Sequence, residues 1–351
     1  MRSGRVGSPP ATGSYSSTPE ATLPSSPEPT SPALAATTAP ALILLAAGRS
    51  TRFGRPKQLE PLGPGGASLT VYTVADALRA GFGSVVVVTR PELRSRLADH
   101  LGDQLGPDLP VTWVLQDVTD LPQEHGHLAA AREKPWGTAH AILACRRQLD
   151  GAFGIANADD WYGPEALRAL ATALARLPAP PPCPGVLVGY PMGATLPPDG
   201  SGVSRGLVQT RGDEVQRVVE LREVAPAGVE EDGSPTPELS GRDPRGRIVS
   251  VSRSDRASMN LWGFGICALP LLEQGFSRFL TRYGTEPGAE FALSTAVDGL
   301  LEDGSMTLRL LPGGRRWFGV THPGDVDWVR ERLRALHADG TYPDDLTALR
   351  P

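Results

Sequence analysis

The stretch LLAAGRSTRFGRPKQL, residues 44–59, decides how this chain reads. It completes an apolar run, ALILLA at residues 41–46, and then turns into small and basic residues. An apolar run of that length followed by Gly48, Arg49, Ser50 and Thr51 reads as a buried strand opening into a loop. Gly48 lets the backbone come close to a ligand, Ser50 and Thr51 are small, and successive N–H groups in such a turn cup an anion. Arg52 and Lys57 add two positive charges, the first suited to bidentate phosphate recognition and the second acting as a point charge. The loop reads either as a polyphosphate cradle or as an ordinary strand-to-loop transition with solvated basic residues. It contains no G-x-x-x-x-G-K-[ST] and no G-x-G-x-x-G, which argues against a P-loop NTPase and a dinucleotide-binding site.

The chain has 351 residues, 40% of them hydrophobic and 21% charged, enough for one large domain or two small ones with a real core. A net charge of −5 argues against a nucleic-acid partner held on a broad basic face. Cys145, Cys183 and Cys267 are widely scattered and suggest neither zinc spacing nor a disulfide framework, so a reducing cytoplasm is the expected location. Residues 1–40 are dominated by Ser, Pro, Thr and Ala, too little apolar surface to offset ordering entropy, and a disordered tail is expected there. The run at residues 41–47 lies too deep in the chain for a signal peptide, and no stretch approaches the ~18–20 apolar residues of a membrane span.

Beyond the loop, the spacing predicts helices over 68–79, 91–101, 138–149 and 164–177, and strands over 84–89, 111–116 and 153–157. The four valines inside 84–89 read as a strand buried on both faces. Such alternation implies right-handed crossovers and a mainly parallel sheet, whose ligands lie at the strand carboxyl ends. The Gly48 loop and Asp159 both fall at such ends. From residue 185 the pattern changes to shorter, mixed strands at 186–190, 206–210 and 215–221. Residues 226–247, acidic and rich in Gly and Pro, read as a mobile excursion. An apolar stretch follows at 258–266, with helices at 270–282, 289–301 and 323–337 and strands at 307–311 and 317–320.

Two further blocks carry chemistry. In NADDWYG, residues 157–163, Asp159 and Asp160 are adjacent carboxylates at the end of a buried strand. They serve either as a turn and helix cap before Pro164 or as ligands of a hard cation such as Mg²⁺, shared with substrate phosphates. In KPWGTAHA, residues 134–141, Thr138 is a candidate N-cap and Gly137 a place where a flat base packs on bare backbone. Gln116 ends the preceding strand and both donates and accepts, as reading a nucleobase edge requires. His140 reads as a structural helix residue.

Together these residues resemble the sugar-phosphate nucleotidyltransferases. The loop AAGRSTRFGRPKQ, residues 46–58, has the compact A-A-G-x-S-x-R-x-G-x-x-K-Q form shared by molybdopterin and polyol-phosphate nucleotidyltransferases. The resemblance continues through KPWGTAHA, NADDWYG, VVE at 218–220, SMNLWGF at 258–264, EFAL at 290–293 and WFGV at 317–320, over about residues 41–340. The later blocks look like an uncharacterised bacterial branch.

That resemblance implies a three-layer α/β fold with a mainly parallel mixed sheet, the nucleotide-diphospho-sugar transferase (Rossmann-like) type. It divides the chain into a nucleotide-binding half, 41–180, an acceptor half, 185–340, and a C-terminal tail, 341–351. It implies transfer of a nucleoside monophosphate from a nucleoside triphosphate to a sugar 1-phosphate, with Mg²⁺. Ala46, Ala47, Gly48, Ser50 and Thr51 would hold the triphosphate, and Arg52 would contact the leaving pyrophosphate. Lys57 would bind the α-phosphate or the acceptor phosphate. Gln116, Gly137 and Thr138 would contact the base, Asp159 and Asp160 the metal, and Glu220 and Asn260 the sugar. Two departures stand out: Leu221 and Arg222 follow Glu220 where the family has Lys-Pro, and Thr295 stands near the second metal-binding Asp, leaving Glu290 or Asp298 as substitutes.

Overall fold

Four strands, β1 (Ala41–Leu45), β2 (Ser84–Thr89), β3 (Val111–Leu115) and β4 (Phe153–Asn157), run parallel in the order β3-β2-β1-β4. The computed structural model describes residues 39–48, 53–228 and 236–349. The tail expected over residues 1–40 falls almost wholly outside them, as do Ser50, Thr51 and Arg52. The valines Val85 to Val88 of β2 are buried, as a parallel sheet covered by helices on both faces requires.

The strands are returned by α1 (Leu69–Ala80), α2 (Pro91–Leu105) and α3 (Thr138–Ala144), and α4 (Pro164–Leu174) follows β4. Every residue of α1 from Leu69 to Leu78 is buried, so its polar Thr70, Thr73 and Asp76 need partners inside the protein. The helix expected to run to residue 149 stops at Ala144 and continues as a single 3₁₀ turn, Arg146–Gln148. A two-stranded ribbon, β5 (Asp160–Trp161) with the late β13 (Phe318–Gly319), sits just beyond β4, with Trp161 stacked on Phe318 at 4.7 Å.

The second half is wired differently. It contributes β6 (Cys183–Pro191), β7 (Val203–Arg211), β8 (Glu214–Pro226), β9 (Leu239–Arg242), β10 (Ile248–Val251), β11 (Arg256–Phe264) and β12 (Met306–Pro312), with α5 (Ala268–Tyr283), α6 (Leu293–Glu302) and α7 (Asp325–Ala338). β11 lies antiparallel to β4 and joins the halves into one sheet. β6, β11, β7, β8 and β12 then pair in turn until β12 meets β6 again, closing a five-stranded ring. Only β6 and β12 are parallel in it. The expected parallel sheet therefore describes the first half alone. Short hairpins such as β7–β8 force antiparallel neighbours, whereas helical crossovers force parallel ones.

Three other expectations change. The excursion over 226–247 contains β9, which pairs with β8 and with β10. Residues 341–351, expected as a tail, include Tyr342, Leu346 and Leu349, which are buried in the core that α1 shares. Cys183 and Cys267, 84 positions apart, form a disulfide with their Cα atoms 5.7 Å apart. The register of β6 against β11 (Gly185 opposite Phe264) places their ends side by side, which sequence spacing alone does not reveal. Cysteine usage therefore gives no support to a reducing compartment.

Candidate active site

A cavity of about 550 Å³ opens at the carboxyl ends of β1, β3 and β4. Leu45, Ala47 and Gly48 line it from β1 and its loop, Gln116 from the end of β3, and Asn157 and Asp159 from the end of β4. Lys57, first residue of the 3₁₀ turn Lys57–Leu59, lines it too and forms an ion pair with Asp159. Lys57 from the chain after the first strand and Asp159 after the fourth therefore meet in one cleft. Ala46 supports the loop from below, buried, with its N–H donated to Val88 O at 2.8 Å.

What holds Lys57 against Asp159 is the buried face of α1. The Thr70 hydroxyl lies 2.9 Å from Gln58 O and 3.0 Å from Ala158 O, joining the turn that carries Lys57 to the turn that carries Asp159. One helical turn on, the Thr73 hydroxyl donates to Asp160 O at 3.1 Å. From the far side, Val320 N–H donates to Asp159 O at 3.1 Å, which brings Thr321 to the cavity wall. Arg55 grips the buried Glu60 through two hydrogen bonds of 2.6 Å and stiffens the same turn.

The two acids part company. Asp159 faces the cleft, whereas Asp160 is enclosed: it accepts from Asn157 Nδ2 at 2.9 Å, and the Tyr162 hydroxyl lies 3.1 Å away. A Cβ on Gly319 would fall 2.2 Å from Asp160 Oδ1, so only glycine allows the ribbon to pass here. Burial, with the charge of Asp159 beside it, raises the Asp160 carboxyl to about 7. Of the two carboxylates expected to hold a metal, Asp159 is therefore half-buried at the cleft and Asp160 is interior.

The opposite wall is the KPWGT block docked on residues 286–293. Gly137 has φ +114°, and a Cβ there would meet the Phe291 backbone at 2.6–2.8 Å. One face of its bare backbone is packed against protein, while the residue still lines the cavity. Ala139 N–H donates to Phe291 O at 3.0 Å and Phe291 N–H to Trp136 O at 2.6 Å. Thr138 caps another helix: its hydroxyl accepts from Leu293 N–H, the first residue of α6, at 2.9 Å. Buried Arg132 lies over the Trp136 ring and donates to the carbonyls of Lys134, Pro135, Glu286, Pro287 and Ala289. This clamp keeps residues 289–292 out of the helix expected to begin there. Gln116 donates to Gly137 O at 2.9 Å and lies 3.3 Å from His140 Nδ1. His140 is buried and structural, as the sequence suggests.

The residues expected to bind the acceptor lie apart from this lining. Glu220 stands in β8, its carboxyl raised by burial against the lowering influence of Arg205 and Arg222. Arg205 packs over Trp317 at 5.1 Å and is lowered to about 10 by burial. Asn260 adopts φ +59° within the irregular stretch of β11 between Ser258 and Trp262, and accepts from Trp262 Nε1 at 3.3 Å. Its neighbour Met259 offers its carbonyl to the Tyr162 hydroxyl at 2.9 Å, so this bulge abuts the Asp160 enclosure. Of the two substitute carboxylates, Glu290 lines the cavity. Asp298 is committed elsewhere, accepting from Val218 N–H at 2.9 Å and pairing with Arg217.

Sequence reasoning passed over Gln58, Lys134, Asn157 and Thr321 as cavity residues, and gave Glu290 only as a substitute metal ligand. Lys134, Asn157 and Glu290 sit inside blocks already singled out, which was the available signal. Gln58 is buried, and its Oε1 has no hydrogen-bond partner among the described residues, a polar atom left facing the site.

Known proteins resemble this chain in part of its sequence and in its fold. Residues 42–179 match the model of the MobA-like NTP transferase domain. No curated protein matches the chain. Among solved structures, the inositol-1-phosphate CTP transferase from T. maritima shares the fold at a TM-score of 0.55 and 14% identity, covering 86% of this chain and 98% of that one. The match of residues 42–179 to the MobA-like NTP transferase domain marks the chain as a nucleotidyltransferase.

Proposed function

We propose that this enzyme moves a nucleoside monophosphate from a nucleoside triphosphate onto a sugar 1-phosphate and releases pyrophosphate. The observation that carries the reading is the ion pair of Lys57 with Asp159 across a cavity at the carboxyl ends of parallel strands. Packing alone gives no reason to gather these charges in a cleft. The overall likeness to the T. maritima enzyme supports the nucleotide-diphospho-sugar transferase fold, with a nucleotide half over 41–180 and an acceptor half over 185–340.

An acceptor phosphate is already an anion at neutral pH, so no general base is needed. Its oxygen forms a bond to the α-phosphorus, and the bond from that phosphorus to the bridging oxygen breaks. The bonding pair leaves with pyrophosphate. Catalysis of this kind rests on positioning and on stabilising charge. Ala46, Ala47, Gly48, Ser50 and Thr51 hold the triphosphate, Lys57 steadies the α-phosphate, and Arg52 meets charge on the leaving group. Gln116, Gly137 and Thr138 form the base wall, and Glu220 and Asn260 receive the acceptor.

Among the described residues no cluster of three or more acids, histidines or cysteines gathers into a metal cage. Mg²⁺ commonly needs only one or two carboxylates completed by substrate phosphates, so Asp159, with Glu290 on the facing wall, fits that ion. Mg²⁺ held there would neutralise charge on the phosphates. Asp160 backs Asp159 from the interior. Among the described residues no helix is long and apolar enough to cross a membrane, and the nucleotide substrate supports a cytoplasmic place of action.

A polyol phosphate is the second acceptor reading, favoured by the compact loop and by the acceptor in the name of the T. maritima enzyme. Pyrophosphate release with Mg²⁺ and each nucleoside triphosphate, across sugar 1-phosphates and polyol phosphates, separates the two. Tight nucleotide binding without turnover on any acceptor would instead identify a silent nucleotide-binding regulator.

A further inference from the structure

Taking the nucleotide-binding reading of the cavity as its basis, we infer that the site selects a base carrying an exocyclic amino group over uracil or thymine, because Gln116 can present that base only with an acceptor.

The polarity of Gln116 is set by a chain of hydrogen bonds running back into the protein. His140 Nε2 lies 3.0 Å from Asp120 O, and a carbonyl only accepts, so the ring proton is on Nε2. Burial lowers the basicity of His140 and keeps the ring neutral, which leaves Nδ1 as a lone pair. The Gln116 amide nitrogen then faces two acceptors, Gly137 O at 2.9 Å and His140 Nδ1 at 3.3 Å. Both of its protons are used. Flipping the amide would set its oxygen against the same two acceptors, so the orientation is fixed by chemistry. Oε1 is what remains for a ligand, and among the described residues no group donates to it.

Uracil and thymine present one N–H flanked by two carbonyls. A glutamine usually meets such an edge with its oxygen on the N–H and its NH₂ on a carbonyl. Here the NH₂ is committed, so the base carbonyl beside the N–H has no amide donor. Glu290, which also lines the cavity, is a carboxylate and supplies no donor for it either. Cytosine, adenine and guanine each bring an amino group that donates to Oε1 without that clash. Lys134 on the same wall is a long exposed donor that serves either class and does not discriminate.

The test compares ATP, CTP, GTP, UTP and dTTP with Mg²⁺ by thermal shift titration, which needs no acceptor. The expected result is that at least one amino-bearing nucleotide binds about tenfold tighter than UTP and dTTP, the discrimination one hydrogen bond supplies. Equal binding, or a preference for UTP or dTTP, overturns the inference and leaves the nucleotidyltransferase reading intact. Binding of none of the five overturns both. Gln116→Leu is expected to bring the ratio of amino to oxo bases within about twofold, and His140→Phe, which frees one amide proton, to lower it by a smaller factor. A folded Gln116→Leu protein that keeps the original ratio also overturns the inference, whatever becomes of the His140 variant.

Discussion

The parallel wing β3-β2-β1-β4 and the five-stranded ring β6-β11-β7-β8-β12 belong to one sheet, yet they present function in different ways. In the wing, helical crossovers bring every strand back in the same direction, so all carboxyl ends share one edge. Lys57, Gln116 and Asp159, on three different loops, converge there without further design. In the ring, hairpins send successive strand ends to opposite edges. What it offers are residues along strand faces and at bulges, Glu220 in β8 and Asn260 at the irregularity of β11. The MobA-like match covers residues 42–179 and ends with the wing. Loops at a shared edge form a compact sequence signature, whereas positions on a closed ring do not.

The contrast is open to direct attack. If the wing carries the phosphate chemistry, Lys57→Ala lowers kcat by about two to four orders of magnitude, as loss of a charge-stabilising donor does elsewhere. Steady-state pyrophosphate release measures it, and an unchanged kcat removes Lys57 from the reaction. The wall facing it depends on close backbone approach. Gly137→Ala puts a Cβ against Phe291 and strains φ, which is expected to cost about 2–4 kcal/mol in chemical denaturation. A loss below ~0.5 kcal/mol, within the range of ordinary surface substitutions, would show that the KPWGT block is not docked as described.

Thr70→Val tests whether α1 sets the distance between the two charged turns. It removes the buried hydroxyl that bridges Gln58 O and Ala158 O, an expected loss of about 1–3 kcal/mol in stability, with a fall in kcat that Thr70→Ser restores. Failure of the serine variant to recover kcat would reduce Thr70 to a packing residue. On the ring side, Glu220→Gln is expected to raise the acceptor KM about tenfold while the nucleotide KM stays put. A shift in the nucleotide KM instead would erase the division of labour between wing and ring.

The smallest effect concerns pH. Asp76, buried in α1, accepts from the Tyr342 hydroxyl at 2.5 Å, and burial raises its carboxyl to about 7 from the ordinary 3.8. An acid that holds its proton more tightly when folded contributes stability below its unfolded value, and that contribution is lost as pH rises through about 7. The melting temperature is therefore expected to fall between roughly pH 4 and pH 7, and to fall less in Asp76→Asn. Parallel melting curves for the two proteins across that range would dismiss Asp76 as the source.

Much of the molecule was legible in the chain itself. The bounds of β2 and β4 match the pattern of apolar runs, and α1, α2 and α4 follow from helical periodicity with glycine and proline stops. The loop of residues 46–58 and the NADDWYG block pointed to the strand ends where the cavity opens, because local backbone chemistry and strand ends are local properties. Tertiary structure alone decided the rest. It turned Asp160 inward and left Asp159 in the cleft, since which of two adjacent acids is solvated depends on what packs against them. It assigned Gly137 to contact with Phe291 and Thr138 to the cap of α6, both partners about 155 residues away. It paired Cys183 with Cys267, closed the ring through β8 and β12, and folded the last residues onto α1. Periodicity records which face of an element is buried, but not which distant element buries it, and each of these features depends on that second fact.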